Sequence, residues 1–307
     1  MSDVVWQEDL LGSGYQAATL RLGEDNEGKV VATLVRYWPP PTHPVPPFAP
    51  AHGTDVLYLH GWSDYFFQTG LAEHWHSLGA RFHALDLRKY GRSLRDHQTP
   101  GYVADLATYD ADIEAALTAM GHGVDAGRSS RRRPRAEQPV AGVSDRRGRA
   151  GLHFAAGAGG HPRAAAGNPA AGRLGFYSRS VSAELGGEWS YESRWRPARG
   201  FPAHRAWLSA VLAGHAAVAA GLGIGVPILT LLSARSTILP RWSDQMRQFG
   251  SVLVVDDIAR AAVRLVSTVT VARIEGALHD VILSAEAPRN AAYASLTRWL
   301  RAYARGS

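Results

Sequence analysis

A histidine and a glycine, His60 and Gly61, directly follow an apolar run whose pattern predicts a buried strand, Asp55–Leu59. Transfer of an acyl group from an ester requires hydrogen-bond donors that point at the oxygen of the tetrahedral intermediate. A backbone N–H just beyond a strand end can supply such a donor without rearrangement. The residues around His60 are therefore candidates for acyl-transfer chemistry, and a tight turn without a chemical role is the alternative.

Other kinds of chemistry find little support in the sequence. The chain has 307 residues and no cysteine, which excludes disulfide scaffolds, thiol enzymes, cysteine zinc sites and iron–sulfur ligation. His74 and His76 lie two residues apart on a predicted helix, so their side chains diverge and make a poor metal pair. Gly221, Gly223 and Gly225 precede a predicted strand, the wrong order for dinucleotide binding, and no Walker-type loop occurs. We expect no metal and no cofactor.

Strands and helices must position the candidate residues, and hydrophobic periodicity predicts where they lie. Near the N-terminus, two strand-like runs at 16–22 and 29–38 predict an antiparallel pair. Further along, predicted strands alternate with predicted helices: strands at 55–59, 81–85, 226–232 and 269–274, and helices at 68–78, 102–120, 207–220, 257–265 and 288–303. Such alternation predicts a parallel sheet with helices on both faces and ligands at the carboxyl ends of its strands. Glycines and Pro227 divide the apolar stretch 207–234, which favours a helix and a strand over a membrane span.

Three blocks of sequence carry a family resemblance. They read Asp-Val-Leu-Tyr-Leu-His-Gly-Trp-Ser-Asp-Tyr at 55–65, Ala-Leu-Asp-Leu-Arg-Lys-Tyr-Gly-Arg-Ser-Leu at 84–94 and Ile-Glu-Gly-Ala-Leu-His-Asp-Val at 274–281. In this order and spacing they resemble the alpha/beta hydrolases, specifically the monoacylglycerol lipase and serine aminopeptidase-like branch, which is also lysophospholipase-like. With the connecting elements, the resemblance covers about two thirds of the chain. It implies an α/β fold with a mostly parallel central sheet, helices on both faces and an inserted cap.

The resemblance also implies roles for individual residues. The backbone N–H of Trp62, which follows the His60–Gly61 turn, matches the family's oxyanion-hole donor. His279, after the strand at 269–274, matches the general base that takes the proton of the nucleophile and returns it to the leaving group. The loop at 86–93 is interpreted as structural, because it would clamp neighbouring strands.

The acidic partner of His279 is harder to place. The family has a carboxylate shortly after the strand at 226–232, but residues 233–240 contain none. Asp256 is our candidate, because it follows a strand-like run at 252–255 and lies one helix and one strand before His279. Capping of a helix from Ile258 is the alternative explanation of Asp256.

The nucleophile of the family is absent from the sequence. Its signature is a strand-to-helix turn with the pattern G-x-S-x-G, and no serine of the chain fits this pattern. Ser144 comes nearest in position, but its surroundings, Gly-Val-Ser-Asp-Arg, lack the second glycine. We therefore expect the chain as written to be inactive, with Ser144 as the first serine to test.

The missing turn should fall in a window of unusual composition. Residues 128–173 hold ten arginines and two acidic residues, so the charge of this window is +8. Because the whole chain has a net charge of +6, the other 261 residues together have a charge of −2. Arg, Ala, Gly and Pro make up 33 of its 46 residues. These amino acids have GC-rich codons, and our hypothesis is that residues 124–174 are read out of frame. A genuine arginine-rich insertion that binds nucleic acid or a protein partner is the rival.

The expected domain organisation has four parts: a hydrolase half at 1–123, an aberrant and disordered or out-of-frame segment at 124–174, a cap at 175–220 and a second hydrolase half at 221–307. The expected function is hydrolysis of carboxylic esters of small acyl or lipid type. A peptidase of the same branch or a non-catalytic binding protein of the same fold is the alternative. Without a secretory-type start, a cytoplasmic location is expected, and nucleic acid is expected as a partner only if the basic segment is genuine.

Overall fold

The computed structural model describes residues 4–40, 45, 48–122 and 169–303. The strands in this part of the chain are β1 (Gln7–Glu8), β2 (Tyr15–Asp25), β3 (Gly28–Tyr37), β4 (Asp55–Leu59), β5 (Arg81–Asp86), β6 (Ile228–Ser233) and β7 (Val269–Ile274). The helices are α1 (Thr69–Ser77), α2 (Tyr109–Ala119), α3 (Pro169–Val181), α4 (Arg205–Ala220), α5 (Val255–Ala262) and α6 (Glu286–Tyr303). The predicted α/β fold class is confirmed.

The strands form one mixed sheet and one parallel pair. The five-stranded sheet has the order β1-β2-β3-β5-β4, in which β2 and β3 form the predicted antiparallel pair and β4 runs parallel to β5. β6 and β7 are also parallel, with Ile228 opposite Val269. Three of these strand pairings are antiparallel and two are parallel, so the described strands form a mixed sheet and a parallel pair, whereas a mostly parallel central sheet was expected.

Alternating side chains of the large sheet bury two hydrophobic clusters, one on each face. Val56 and Tyr58 of β4 point to the face that α1 and α6 cover, where Trp75 and Leu296 are fully buried. Leu57 and Leu59 pack on the opposite face, with α2. Leu229, Leu231 and Ile274 of the second sheet join the α1/α6 cluster, so the two sheets share one core. Helices thus cover both faces of the sheet, as predicted.

A third cluster joins α3 to the loops at the strand ends. It combines Tyr177 and Val181 of α3, Tyr65 and Phe67 after β4, and Leu278 and Leu283 after β7. α3 begins at Pro169 and so crosses the predicted boundary between 174 and 175. The rest of the predicted aberrant segment, residues 124–168, lies outside the described residues, and so does Ser144.

Several predicted elements have ends shifted by up to three residues, such as α5, expected at 257–265 and found at Val255–Ala262, and two predicted elements differ more. The helix expected at 102–120 starts only at Tyr109, after a short 3-10 turn at Leu106–Thr108 in which the Asp105 side chain accepts a hydrogen bond from Ala107 N–H. The strand expected at 252–255 is wrong, because Val252 packs on the third cluster and Val255 is the buried first residue of α5.

The apolar stretch 207–234 is divided between α4 and β6, as predicted. Within the part of the chain that the structure describes, no helix combines the length and the apolar character that a bilayer crossing requires.

The loop after β5 clamps its neighbours, which confirms the structural interpretation of residues 86–93. Ser93 Oγ donates to the carbonyl of Asp86 at 2.7 Å and lies 3.1 Å from Thr33 Oγ1 of β3. Lys89 is 1% exposed, has φ +63°, and reaches the β2–β3 turn, where it pairs with Asp25 at 2.6 Å and Glu27 at 2.5 Å. The loop therefore joins the N-terminal hairpin to the parallel strands.

Candidate active site

The β4 loop, defined here as residues 60–65, is held at its start by His60. The imidazole Nε2 accepts a hydrogen bond from Leu87 N–H at 3.1 Å, so the ring proton is on Nδ1, which donates to the carbonyl of Gly61 at 2.8 Å. Burial lowers the pKa of His60, and the ring is neutral. His60 thus connects the ends of two parallel strands, which favours a turn role for His60 and Gly61.

Trp62 follows this turn with an unpaired backbone donor. Its N–H makes no hydrogen bond to any residue in the described ranges. Its indole is fixed by aromatic neighbours: it lies 3.6 Å from the ring of Trp207 and makes edge contacts with Phe201 and Tyr90. A donor in a loop held on both sides has the preorganisation that an oxyanion hole requires.

His279 lies in the corresponding loop after β7. The carbonyl of Ala277 accepts a hydrogen bond from Ser233 Oγ of β6 at 2.8 Å, and Leu278 N–H donates to Ser284 Oγ at 2.9 Å, so both residues before His279 are fixed. The half-buried imidazole packs edge-on against Tyr177, with ring centroids 5.8 Å apart, and makes no hydrogen bond to another described residue. Burial, with a smaller effect of the Arg196 charge, lowers the pKa of His279 to about 4. The ring is therefore unprotonated near neutral pH, the form that accepts a proton.

Asp256 lies on the surface, in the first turn of α5. Its carboxylate pairs with Arg273 of β7 at 2.5 Å, and its side chain is 67% exposed. The position suits the helix dipole, which favours acidic residues in the first turn. Val254, and not Asp256, is the N-cap of α5. No hydrogen bond joins Asp256 to His279, so the structure does not bring these two candidates together.

A buried polar cluster beside His279 was missed by sequence reasoning. Arg196 is 4% exposed, and its Nε donates to Asp64 Oδ1 at 3.0 Å. Burial raises the pKa of Asp64 to about 7, because the loss of hydration outweighs the attraction of Arg196. Burial also raises the pKa of Asp280, whose carboxylate accepts from Ile282 N–H at 2.9 Å. Among the described residues, neither the buried hydroxyl of Tyr177 nor the buried Nη1 of Arg196 has a hydrogen-bond partner.

The sequence contains each member of this cluster but no sign that they meet. Asp64 lies in the first family-like block, and Arg196 lies 132 residues further along the chain. Only the packing of the segment between α3 and α4 against the β4 loop brings them together. Within the described ranges, no group of three or more His, Asp and Glu residues has the arrangement of a metal site.

Comparison with known proteins gives a likeness of fold. No protein-family model matches the chain, and no curated protein does. Among solved structures, the chain is similar to alpha/beta hydrolase domain-containing protein 10 from mouse, with 13% identity, TM-score 0.45 and coverage of 97% of this chain and 98% of that one. It is also similar to an esterase from Exiguobacterium antarcticum, with 13% identity, TM-score 0.45 and coverage of 92% of this chain and 98% of that one. An epoxide hydrolase from an endophytic Streptomyces has 17% identity, TM-score 0.44 and coverage of 98% of this chain and 96% of that one.

Proposed function

We propose that the chain has the architecture of a carboxylic ester hydrolase of the alpha/beta hydrolase type, with His279 as the general base and Trp62 N–H as an oxyanion donor. The observation that carries the proposal is the state of His279. Its imidazole is half-buried and makes no hydrogen bond to the described residues, in a loop fixed by Ser233 and Ser284. An imidazole in this state is available to take a proton from a hydroxyl nucleophile.

Residues next to the two proposed groups share one hydrophobic cluster, although the Trp62 side chain itself packs on the second cluster. Leu278, next to His279, and Tyr65, at the end of the β4 loop, both belong to the third cluster with Tyr177. Each group follows the carboxyl end of a parallel strand, Trp62 after β4 of the five-stranded sheet and His279 after β7 of the parallel pair. Ligands bind at such ends in α/β folds. The shared third cluster supports a single reaction centre. The resemblance of the three sequence blocks supports monoacylglycerol or lysophospholipid esters as the substrate class, and a peptide bond is the alternative within the same chemistry.

The proposal includes the inactivity of the chain as written. His279 needs a hydroxyl nucleophile, and the sequence has no G-x-S-x-G turn to present one. Removal of one member of a working catalytic triad typically costs on the order of ten-thousand-fold in rate. We expect the chain to hydrolyse p-nitrophenyl butyrate no faster than its His279→Ala variant.

The test compares the chain as written with a version whose codons for residues 124–174 are restored to the frame that encodes an apolar strand and G-x-S-x-G. We expect hydrolysis by the restored chain, with loss of that rate in His279→Ala and no loss in His52→Ala, an exposed histidine that serves as the matched control. A His279-independent rate in the restored chain would contradict the role of His279. A His279-dependent rate in the chain as written would show that a serine such as Ser144 is positioned after all.

The missing nucleophile turn also favours a second candidate, a non-catalytic binding protein of the same fold. A fluorophosphonate probe separates the two, because labelling requires an activated serine. Labelling of the restored chain that depends on His279 supports the enzyme. If no reading frame of the window encodes the turn and no labelling occurs, the binding protein is the better description.

A further inference from the structure

Three consecutive side chains of the β4 loop each accept a hydrogen bond from the cap loop, defined here as residues 186–204 between α3 and α4. Glu192 N–H donates to the Tyr65 hydroxyl at 2.7 Å, and Arg196 Nε donates to Asp64 Oδ1 at 3.0 Å. A third bond runs from Phe201 N–H to Ser63 Oγ at 3.1 Å. The cap loop therefore contacts the β4 loop at every residue between Trp62 and Phe66.

Arg196 is the anchor among these contacts. The other charged residues of the cap loop, at 188, 192, 194 and 199, are exposed, whereas Arg196 is buried. Its guanidinium lies over the rings of Tyr191 at 4.7 Å, Tyr177 at 5.3 Å and Phe67 at 5.8 Å. Burial of a guanidinium is costly unless its partners compensate for the lost water. Asp64, Tyr177 and Phe67 lie outside the cap loop, so they provide their part of that compensation only while the cap loop stays against the core.

The β4 loop has a conformation that needs support from outside. Ser63 has φ +54°, in the left-handed region that residues with a Cβ rarely adopt. Such a residue costs on the order of 1 kcal/mol or more and persists when its surroundings fix it. The side chains that fix it belong to residues 63–65, and the backbone donor of Trp62 directly precedes them. Restraint by the cap loop therefore acts on the residues that directly follow the Trp62 N–H.

We propose that Arg196 is a positioning residue, whose ion pair with Asp64 holds the β4 loop in the conformation that presents the Trp62 N–H. The catalytic meaning of this restraint rests on the proposed function, but the restraint itself does not. It can be measured on the chain as it is, without turnover.

Hydrogen exchange followed by mass spectrometry tests the proposal. Relative to the unaltered chain, Arg196→Met should raise amide exchange of peptides that cover residues 60–65 by on the order of tenfold or more, because local opening becomes easier. Arg196→Lys should restore part of the protection, because it keeps the charge. The matched control, Arg199→Met, changes an exposed arginine of the same cap loop and should leave exchange at 60–65 unchanged. A purely structural role would raise exchange throughout β4 and β5 as well, whereas positioning leaves those strands protected.

Unchanged exchange at 60–65 in a folded Arg196→Met chain would overturn the proposal. If that variant does not fold, Asp64→Asn decides, because it keeps the shape of the side chain and removes the ion pair. Faster exchange at 60–65 in Asp64→Asn supports the proposal, and unchanged exchange overturns it. Neither result depends on ester hydrolysis, so a failure of the restraint and a failure of the proposed function remain distinguishable.

Discussion

Asp86 at the end of β5 is a sensitive point of the fold, and its replacement by Asn tests how the loops at the strand ends are held. The side chain is 0% exposed. Oδ1 accepts a hydrogen bond from Phe66 N–H at 2.9 Å, and Oδ2 accepts from Arg92 N–H at 3.0 Å and from Arg92 Nη1 at 2.8 Å. Arg92 in turn binds Asp9 through Nε and Nη2. One carboxylate thus connects the loops after β4 and β5 to the N-terminal strands.

Asp86→Asn keeps the shape of the side chain but removes its charge. It also places an NH₂ group, a donor, against the N–H donors of Phe66 or Arg92, so at least one of these hydrogen bonds is lost. Breaking a buried ion pair by neutralising one partner typically costs about 3–5 kcal/mol. The free energy of unfolding of a typical domain is about 5–15 kcal/mol, so this loss is a large share of the total stability. For a chain of this size, it lowers the melting temperature by on the order of 10 °C.

Urea unfolding followed by circular dichroism measures the free energy of unfolding, and Asp256→Asn provides the matched control. Asp256 also pairs with an arginine, but on the surface, where such pairs contribute about 0–1 kcal/mol. We expect Asp86→Asn to lose several times more stability than Asp256→Asn. Equal losses within about 1 kcal/mol would refute the assignment of Asp86 as a buried anchor.

Two further predictions concern acid stability and a close contact. The pKa of His279 is about 4 in the folded chain and about 6.5 in the unfolded chain, so the unfolded state gains a proton first as the pH falls. The free energy of unfolding therefore decreases as the pH drops from about 6.5 towards 4. The decrease is at most about 3 kcal/mol, and screening by water reduces it. His279→Gln should flatten this dependence of the urea midpoint, and an unchanged slope would contradict the assigned burial. Gly91 has φ +48°, and a Cβ there would lie 2.5 Å from both Asp86 Oδ2 and Tyr65 Cβ. Gly91→Ala should therefore lower the melting temperature, whereas Gly53→Ala, with similar φ but open space, should lower it less.

Local elements were predictable because burial leaves a periodic pattern in the sequence. β4 and β7 have the predicted bounds, since alternating or continuous apolar residues mark strands between two helix layers. The strand expected at 252–255 fails for the opposite reason. Val252 packs on the third cluster from a loop, and Val255 begins α5. The N-cap of α5 is Val254, which is apolar, so the sequence lacks the polar residue that usually marks the start of a helix.

The candidate site was predictable only in part. His279 and Trp62 were found through the resemblance of short blocks, and local spacing alone would not have distinguished His279 from the other twelve histidines. The pair Asp64 and Arg196 could not be found, because 132 residues separate the partners and the contact depends on how the cap loop packs. The burial that raises the pKa of Asp64 is likewise a property of tertiary structure.

The buried Lys89 bears on whether the N-terminal hairpin can be treated as a separable part. Its ammonium has its carboxylate partners, Asp25 and Glu27, on the β2–β3 turn. A chain shortened to begin after β3 would lose both carboxylates, and with them the ion pairs that hold the loop after β5. The hairpin and the parallel strands should therefore unfold in a single cooperative transition, and the hairpin is a poor site for truncation or for the exchange of modules between proteins.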